Sequence, residues 1–198
     1  MKKLALLLVV VAACGKSDKK NGGAAAPAAK IDVAAVNALV PADLKDKLVF
    51  EQKDIVEERG KHSNVKYTMA APKDWEQDGK MFASVKPKSE ANMGFMTQLQ
   101  VGSNCDGECQ PKDWAKTSEK VNFAQFRDGG KIVKDESNKT SHLMIAEKGD
   151  STYVTYAWWA DGGKKYFYCT ASLEQPVKGA ADAFAKACQA VNASGDLD

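Results

Sequence analysis

The sequence predicts an α+β domain, an antiparallel sheet with helices packed on it, from three observations. Stretches in which apolar and polar residues alternate with a two-residue period recur between Val49 and Leu173. Short links containing Gly, Pro or Asp separate them, as antiparallel hairpins require. After the last stretch, Pro176 opens a segment whose apolar residues follow a helical spacing.

The elements follow in order. Asp32 can cap a short helix bearing Val33, Val36 and Val40 on one side, stopped by Pro41. Val49 to Glu58 reads as extended, and Arg59-Gly60-Lys61-His62 as a hairpin link. Val65, Tyr67 and Met69 alternate with Lys66 and Thr68, a half-buried strand that ends at Ala71-Pro72. Asp78-Gly79 marks a turn. Met81, Ala83 and Val85 then alternate with Phe82, Ser84 and Lys86, and Phe95, Thr97, Leu99 and Val101 with Met96, Gln98 and Gln100. Pro111 suits the first turn of a helix running toward Phe126, with Trp114, Ser118 and Val121 on its inner side. Four strands follow, near Lys131–Glu136, Ser141–Glu147, Thr152–Ala160 and Lys164–Leu173. Asp161-Gly162-Gly163 joins the last two. In the closing helix, Val177, Ala181, Phe184, Cys188 and Val191 form the stripe that lies on the sheet.

Ahead of all this lies a different kind of segment. Lys2 and Lys3 precede an apolar run from Leu4 to Ala13, too short for the roughly 20 residues a membrane-spanning helix needs. A positive start, a short apolar core and small residues before a cut are the marks of an export signal. Val11-Ala12-Ala13-Cys14 is similar to the lipobox of bacterial lipoproteins: branched apolar, small, small, Cys. That resemblance implies thioether lipidation of Cys14, cleavage before it and a mature chain starting there. The plainer alternative is an ordinary secretory signal in which Cys14 is incidental. Gly15 follows where an Asp favours inner-membrane retention in enteric lipoproteins, so the resemblance leans toward the outer membrane over the periplasmic face of the inner one.

The expected organisation is therefore a signal peptide at 1–13, a lipidated Cys and flexible tether at 14–30, and one domain at 31–198. The tether carries Asn21-Gly22-Gly23 and Ala24-Ala25-Ala26-Pro27-Ala28-Ala29, with nothing to bury. Its sixteen residues after Cys14 reach at most ~55 Å fully extended and about 20–25 Å as a coil. Lys16, Lys19, Lys20 and Lys30 make it basic, which leaves residues 31–198 with 22 basic and 25 acidic side chains. A slightly acidic domain argues against nucleic acid as a partner.

A strand ending in Pro72, Trp75 three residues later, a central helix, a long meander and a C-terminal packing helix resemble the PsbP-like fold. That group includes extrinsic photosystem subunits, a Ran-binding family and envelope lipoproteins of the DcrB type. The resemblance covers roughly residues 48–193, with Pro72-Lys73-Asp74-Trp75 as its local signature. It carries over no active-site or partner-binding residue, and a fold alone does not assign a function.

Cys14 aside, Cys105, Cys109, Cys169 and Cys188 are an even number in an exported chain, where disulfides persist. Four cysteines allow three connectivities. Cys169 shares a strand face with Phe167, Ala171 and Leu173, and Cys188 lies on the helical stripe, so the two sulfurs face one another across the strand–helix contact. Cys105 and Cys109 then form a small staple with Gly107 at the bend. Crossed pairing, free thiols and a four-thiolate zinc site stand as alternatives. The spacing is neither Cys-x-x-Cys nor a haem attachment motif, so no cofactor is expected.

No catalytic constellation appears. His62 falls in a turn and His142 in a strand, outside any His-x-x-x-His or His-Glu pattern, so no metal site is expected. Asp74-Trp75-Glu76-Gln77-Asp78-Gly79 imitates the start of a calcium loop, but Val85 stands where its bidentate Glu belongs. Aromatics crowd one hairpin: Tyr153, Tyr156, Trp158 and Trp159 against Tyr166, Phe167 and Tyr168. Adjacent Trp158 and Trp159 point to opposite faces, so either both faces of the sheet are covered or Tyr156, Trp158 and Trp159 include an outward binding patch. The expected function is a lipid-anchored, non-catalytic binding or assembly module of the cell envelope with a protein partner there. The alternative is an envelope enzyme or metal-binding protein using scattered carboxylates such as Glu76, Asp78 and Asp106.

Overall fold

Asp32 starts the first helix as its sequence position predicts, its Oδ1 accepting a hydrogen bond from the Ala35 amide at 3.0 Å. This helix, α1 (Val33–Asn37), is only five residues long. A 3₁₀ turn over Ala42–Leu44 follows Pro41, and Val36, Val40, Leu44 and Leu48 are all buried. The computed structural model describes residues 30–59, 63–88, 97–104, 129–160 and 165–195.

Strands then dominate. They are β1 (Phe50–Arg59), β2 (Ser63–Pro72), β3 (Trp75–Gln77), β4 (Ala83–Pro87), β5 (Gln98–Asn104), β6 (Lys131–Ser137), β7 (Ser141–Lys148), β8 (Ser151–Ala160) and β9 (Lys165–Leu173). A 3₁₀ turn over Val177–Ala180 leads into α2 (Ala181–Gln189), and β10 (Asn192–Gly195) closes the described chain. The strands form two sheets, one ordered β1-β2-β10 and one ordered β3-β4-β5-β9-β8-β7-β6. Each pairing is antiparallel.

The α+β expectation is overturned by this architecture: the described residues make a β-rich fold of two sheets, not a sheet with packed helices. The physical reason lies in the helical segments. Pro41 follows the first helix closely, and the closing segment spends its first turn, through Gly179, as 3₁₀ before α2 begins. The proposed helix from Pro111 to Phe126 lies outside the described residues.

One core joins the two sheets. Ile55, Val65, Tyr67 and Met69 from the smaller sheet meet Leu99, Val101, Val154, Phe167 and Cys169 from the larger, with α2 among them. Phe184 of α2 sits between Phe50 and Trp75, with ring centroids 5.1 and 5.4 Å away. Burying a ring of this kind contributes about 1.5–3 kcal/mol. The chain crosses from one sheet to the other between Pro72 and Trp75, both of which are buried.

Side chains finish the free edge of β1. The Gln77 carboxamide donates to the Val56 carbonyl at 2.6 Å and accepts from the Val56 amide at 3.3 Å, as a neighbouring strand would. Lys53 Nζ donates to the carbonyls of Lys73 and Trp75. On the far face of the larger sheet a second buried group forms around Met144, Ala157 and Tyr166. Both faces of β8 and β9 thus carry buried side chains. Gly102 permits this: a Cβ there would lie 2.5 Å from the Tyr168 hydroxyl oxygen.

Candidate functional site

The alternation along β8 places Thr152, Val154, Tyr156 and Trp158 on the same side as Phe167, Cys169, Ala171 and Leu173 of β9. On that side Tyr156 stacks on Trp158 with centroids 5.3 Å apart, and Trp158 stacks on Phe167 at 5.5 Å. Both Tyr156 and Trp158 are half-buried and pack against the main core. They belong to the inner face, with an accessible margin, so they do not form a free-standing outward patch. Trp159 pairs through its backbone with Tyr166. Its side chain lies outside the described part of the structure.

Tyr156 also lines a cavity of about 550 Å³, together with Asp135, Glu136, Ser141, Leu143 and Gln189. Sites for small molecules usually occupy ~300–1,000 Å³. Each wall has a structural origin. Glu136 and Leu143 are directly opposed on β6 and β7. Ser141 begins β7 after a turn tied by Asn138, whose Oδ1 accepts from the amides of Thr140 and Ser141 at 2.8 and 2.9 Å. Gln189 ends α2 one residue after Cys188, whose bond to Cys169 fixes that end of the helix over the sheet.

The two acidic side chains near this site each have a partner. Asp135 Oδ1 lies 2.6 Å from Nε2 of the buried His142. Glu136 Oε1 lies 3.3 Å from Lys134 Nζ, an exposed ion pair worth little in itself. An adjoining hollow of about 270 Å³ shares Leu143 and Gln189 and continues along α2 past Asp182 and Lys186 to the exposed Leu39.

A second polar cluster bridges the two sheets. Arg59 donates to Glu57 at 2.9 Å and to Ser103 Oγ at 2.7 Å, and the Tyr67 hydroxyl donates to the same Glu57 oxygen at 3.0 Å. Burial and then the Glu57 charge push the Tyr67 hydroxyl well above the ordinary tyrosine range. Tyr168 is raised for the same two reasons. Glu57 and Arg59 neutralise each other here and tie β1 to β5, which is a structural brace.

Of the predicted cysteine pairs, Cys169–Cys188 is bonded, with Cα atoms 5.3 Å apart and both residues fully buried. Cys14, Cys105, Cys109, Asp106 and His62 lie outside the described residues. The carboxylates weighed for catalysis are engaged elsewhere: Glu76 pairs with Lys88 at 2.8 Å and Asp78 with Lys86 at 2.6 Å. Among the described residues no group of three or more His, Cys, Asp or Glu side chains is placed to hold a metal ion. No described helix is long and apolar enough to cross a membrane.

Sequence reasoning named Tyr156 but missed Asp135, Glu136, Ser141 and Gln189. The one available signal was Asn138-Lys139-Thr140 between two strands, a turn after which Ser137 pairs with His142. Gln189 gave none, since it lies off the apolar stripe of its helix. Compared with protein-family models and with curated proteins, the chain matches none.

Proposed function

We propose that this chain is a lipid-anchored binding module of the bacterial cell envelope, attached through Cys14 and acting without turnover through the surface around Tyr156. The observation that carries the reading is the cavity beside the stacked Tyr156–Trp158 pair. Its walls stand on rigid strands and on a helix end clamped by a disulfide. Preorganised walls of this sort reduce what ordering costs on binding. Two of the three carboxylates weighed for acid–base work, Glu76 and Asp78, are paired with lysines on another part of the sheet. A flexible tether of about 20–25 Å would let such a domain search the space near its membrane.

The test is site-directed photo-crosslinking of the native, membrane-anchored protein. A photoreactive residue at the exposed Gln189 is expected to give a discrete adduct with an envelope component. The same residue at Asp150, beside a different hollow, is expected to give none. Equal labelling from both positions, or none from Gln189, would overturn the reading.

A further inference from the structure

We infer that the Tyr156 cavity takes a neutral, hydroxyl-rich ligand of the saccharide class. This rests on the binding-module reading above and names what the site binds. Charge comes first. Glu136, on the Tyr156 side of the sheet, pairs with Lys134 at 3.3 Å, whereas Asp135 bonds to His142 on the opposite side. A cationic ligand would have to displace Lys134, and an anion would meet the Glu136 carboxylate, so an uncharged ligand fits best.

The remaining groups are uncharged and set for hydrogen bonding. Asn138 Nδ2 donates to Ser141 Oγ at 2.8 Å, which orients that hydroxyl and leaves its own proton to donate. The Tyr156 hydroxyl and the Gln189 carboxamide have no hydrogen bond to another described residue, and both line the cavity. Each offers donor and acceptor capacity together, which is what a vicinal hydroxyl pair needs. Leu143 and the Tyr156 ring supply the apolar wall, which suits the C–H face of a pyranose. A mainly polar lining beside one aromatic ring suits a ligand rich in hydroxyls.

The volume agrees. About 550 Å³ accommodates one or two sugar rings, and the adjoining hollow of about 270 Å³ along α2 gives a longer chain a direction in which to continue. Its wall offers Asp182 together with Lys134 and Lys186.

The experiment is a calorimetric titration of the detergent-solubilised full chain with maltose, cellobiose and diacetylchitobiose, with spermidine and inorganic phosphate as charged probes. At least one disaccharide is expected to bind saturably with a Kd of about 1 mM or tighter. Gln189→Ala and Tyr156→Ala should each weaken it about tenfold, roughly 1.4 kcal/mol, while Asp150→Asn leaves it unchanged. Gln189 is exposed and separates binding from folding should Tyr156→Ala destabilise the domain. No binding of any of the three sugars, binding indifferent to Gln189→Ala, or binding of spermidine or phosphate alone would overturn the inference. A failed titration beside a successful Gln189 crosslink removes only the saccharide class; failure of both removes the binding module as well.

Discussion

At the scale of single residues, Glu57 accepts from both Arg59 and the Tyr67 hydroxyl at the seam between the sheets. Burial together with that charge raises Tyr67 above its ordinary value of 10.0. For a raised acid the folded state holds the proton more tightly than the unfolded one. The resulting stability is complete below pH 10 and drains away as pH climbs toward the raised folded value. Thermal unfolding followed by circular dichroism should therefore show a falling Tm above pH 10. Tyr67→Phe should cost about 1 kcal/mol at neutral pH through the lost hydrogen bond. It should also lose Tm less steeply above pH 10. An unchanged alkaline slope in that variant would assign the drop elsewhere. The alternation of Val65, Tyr67 and Met69 made the burial of Tyr67 legible in sequence. Its partner Arg59 was not, because a residue assigned to a hairpin link gave no sign that it reaches Ser103, 44 positions away.

Individual elements were legible wherever local pattern decides them. The strands expected near 131–136, 141–147, 152–160 and 164–173 appear with ends shifted by a residue or so, because a two-residue period survives in any sheet. Asp32 capping α1 is equally local. What failed was the long-range part. β10, Asn192–Gly195, has no apolar alternation and pairs with Thr68 to Val65, so nothing near it announces a strand. That pairing completes the smaller sheet, and without it the segregation into two sheets could not be read. Met81 and Phe82 were placed in a strand, yet they stand exposed before β4, in the turn after Gly79 with φ +70°. The Cys169–Cys188 bond was readable because it needs only a strand face and a helical stripe. It closes a separation of 19 residues, a loop whose constraint is worth roughly 3 kcal/mol in the chain-entropy model. Replacing both cysteines by Ala should lower stability in urea by about that amount. It should also loosen the Gln189 end of α2, seen as faster amide exchange there than in β2. A double variant with full stability and unchanged exchange would show the bond to be incidental.

At the scale of the whole molecule, the described domain supplies a two-sheet body with a cavity beside Tyr156, and the segment ahead of it is the one proposed to anchor it. The 550 Å³ cavity was not visible in the sequence, since its walls come from β6, β7, β8 and the end of α2. Only Tyr156 was singled out beforehand, for its aromatic neighbours and not for the space beside it. If the domain works at a membrane surface, the thiol of Cys14 has to hold it there. The most direct measurement is metabolic labelling with a radioactive or clickable fatty acid, followed by fractionation of the unaltered chain and of Cys14→Ser. The predicted result is label and membrane sedimentation for the unaltered chain, and loss of both for Cys14→Ser. Absence of label from the unaltered chain, with the serine variant still sedimenting with membranes, would contradict the lipid-anchored assignment.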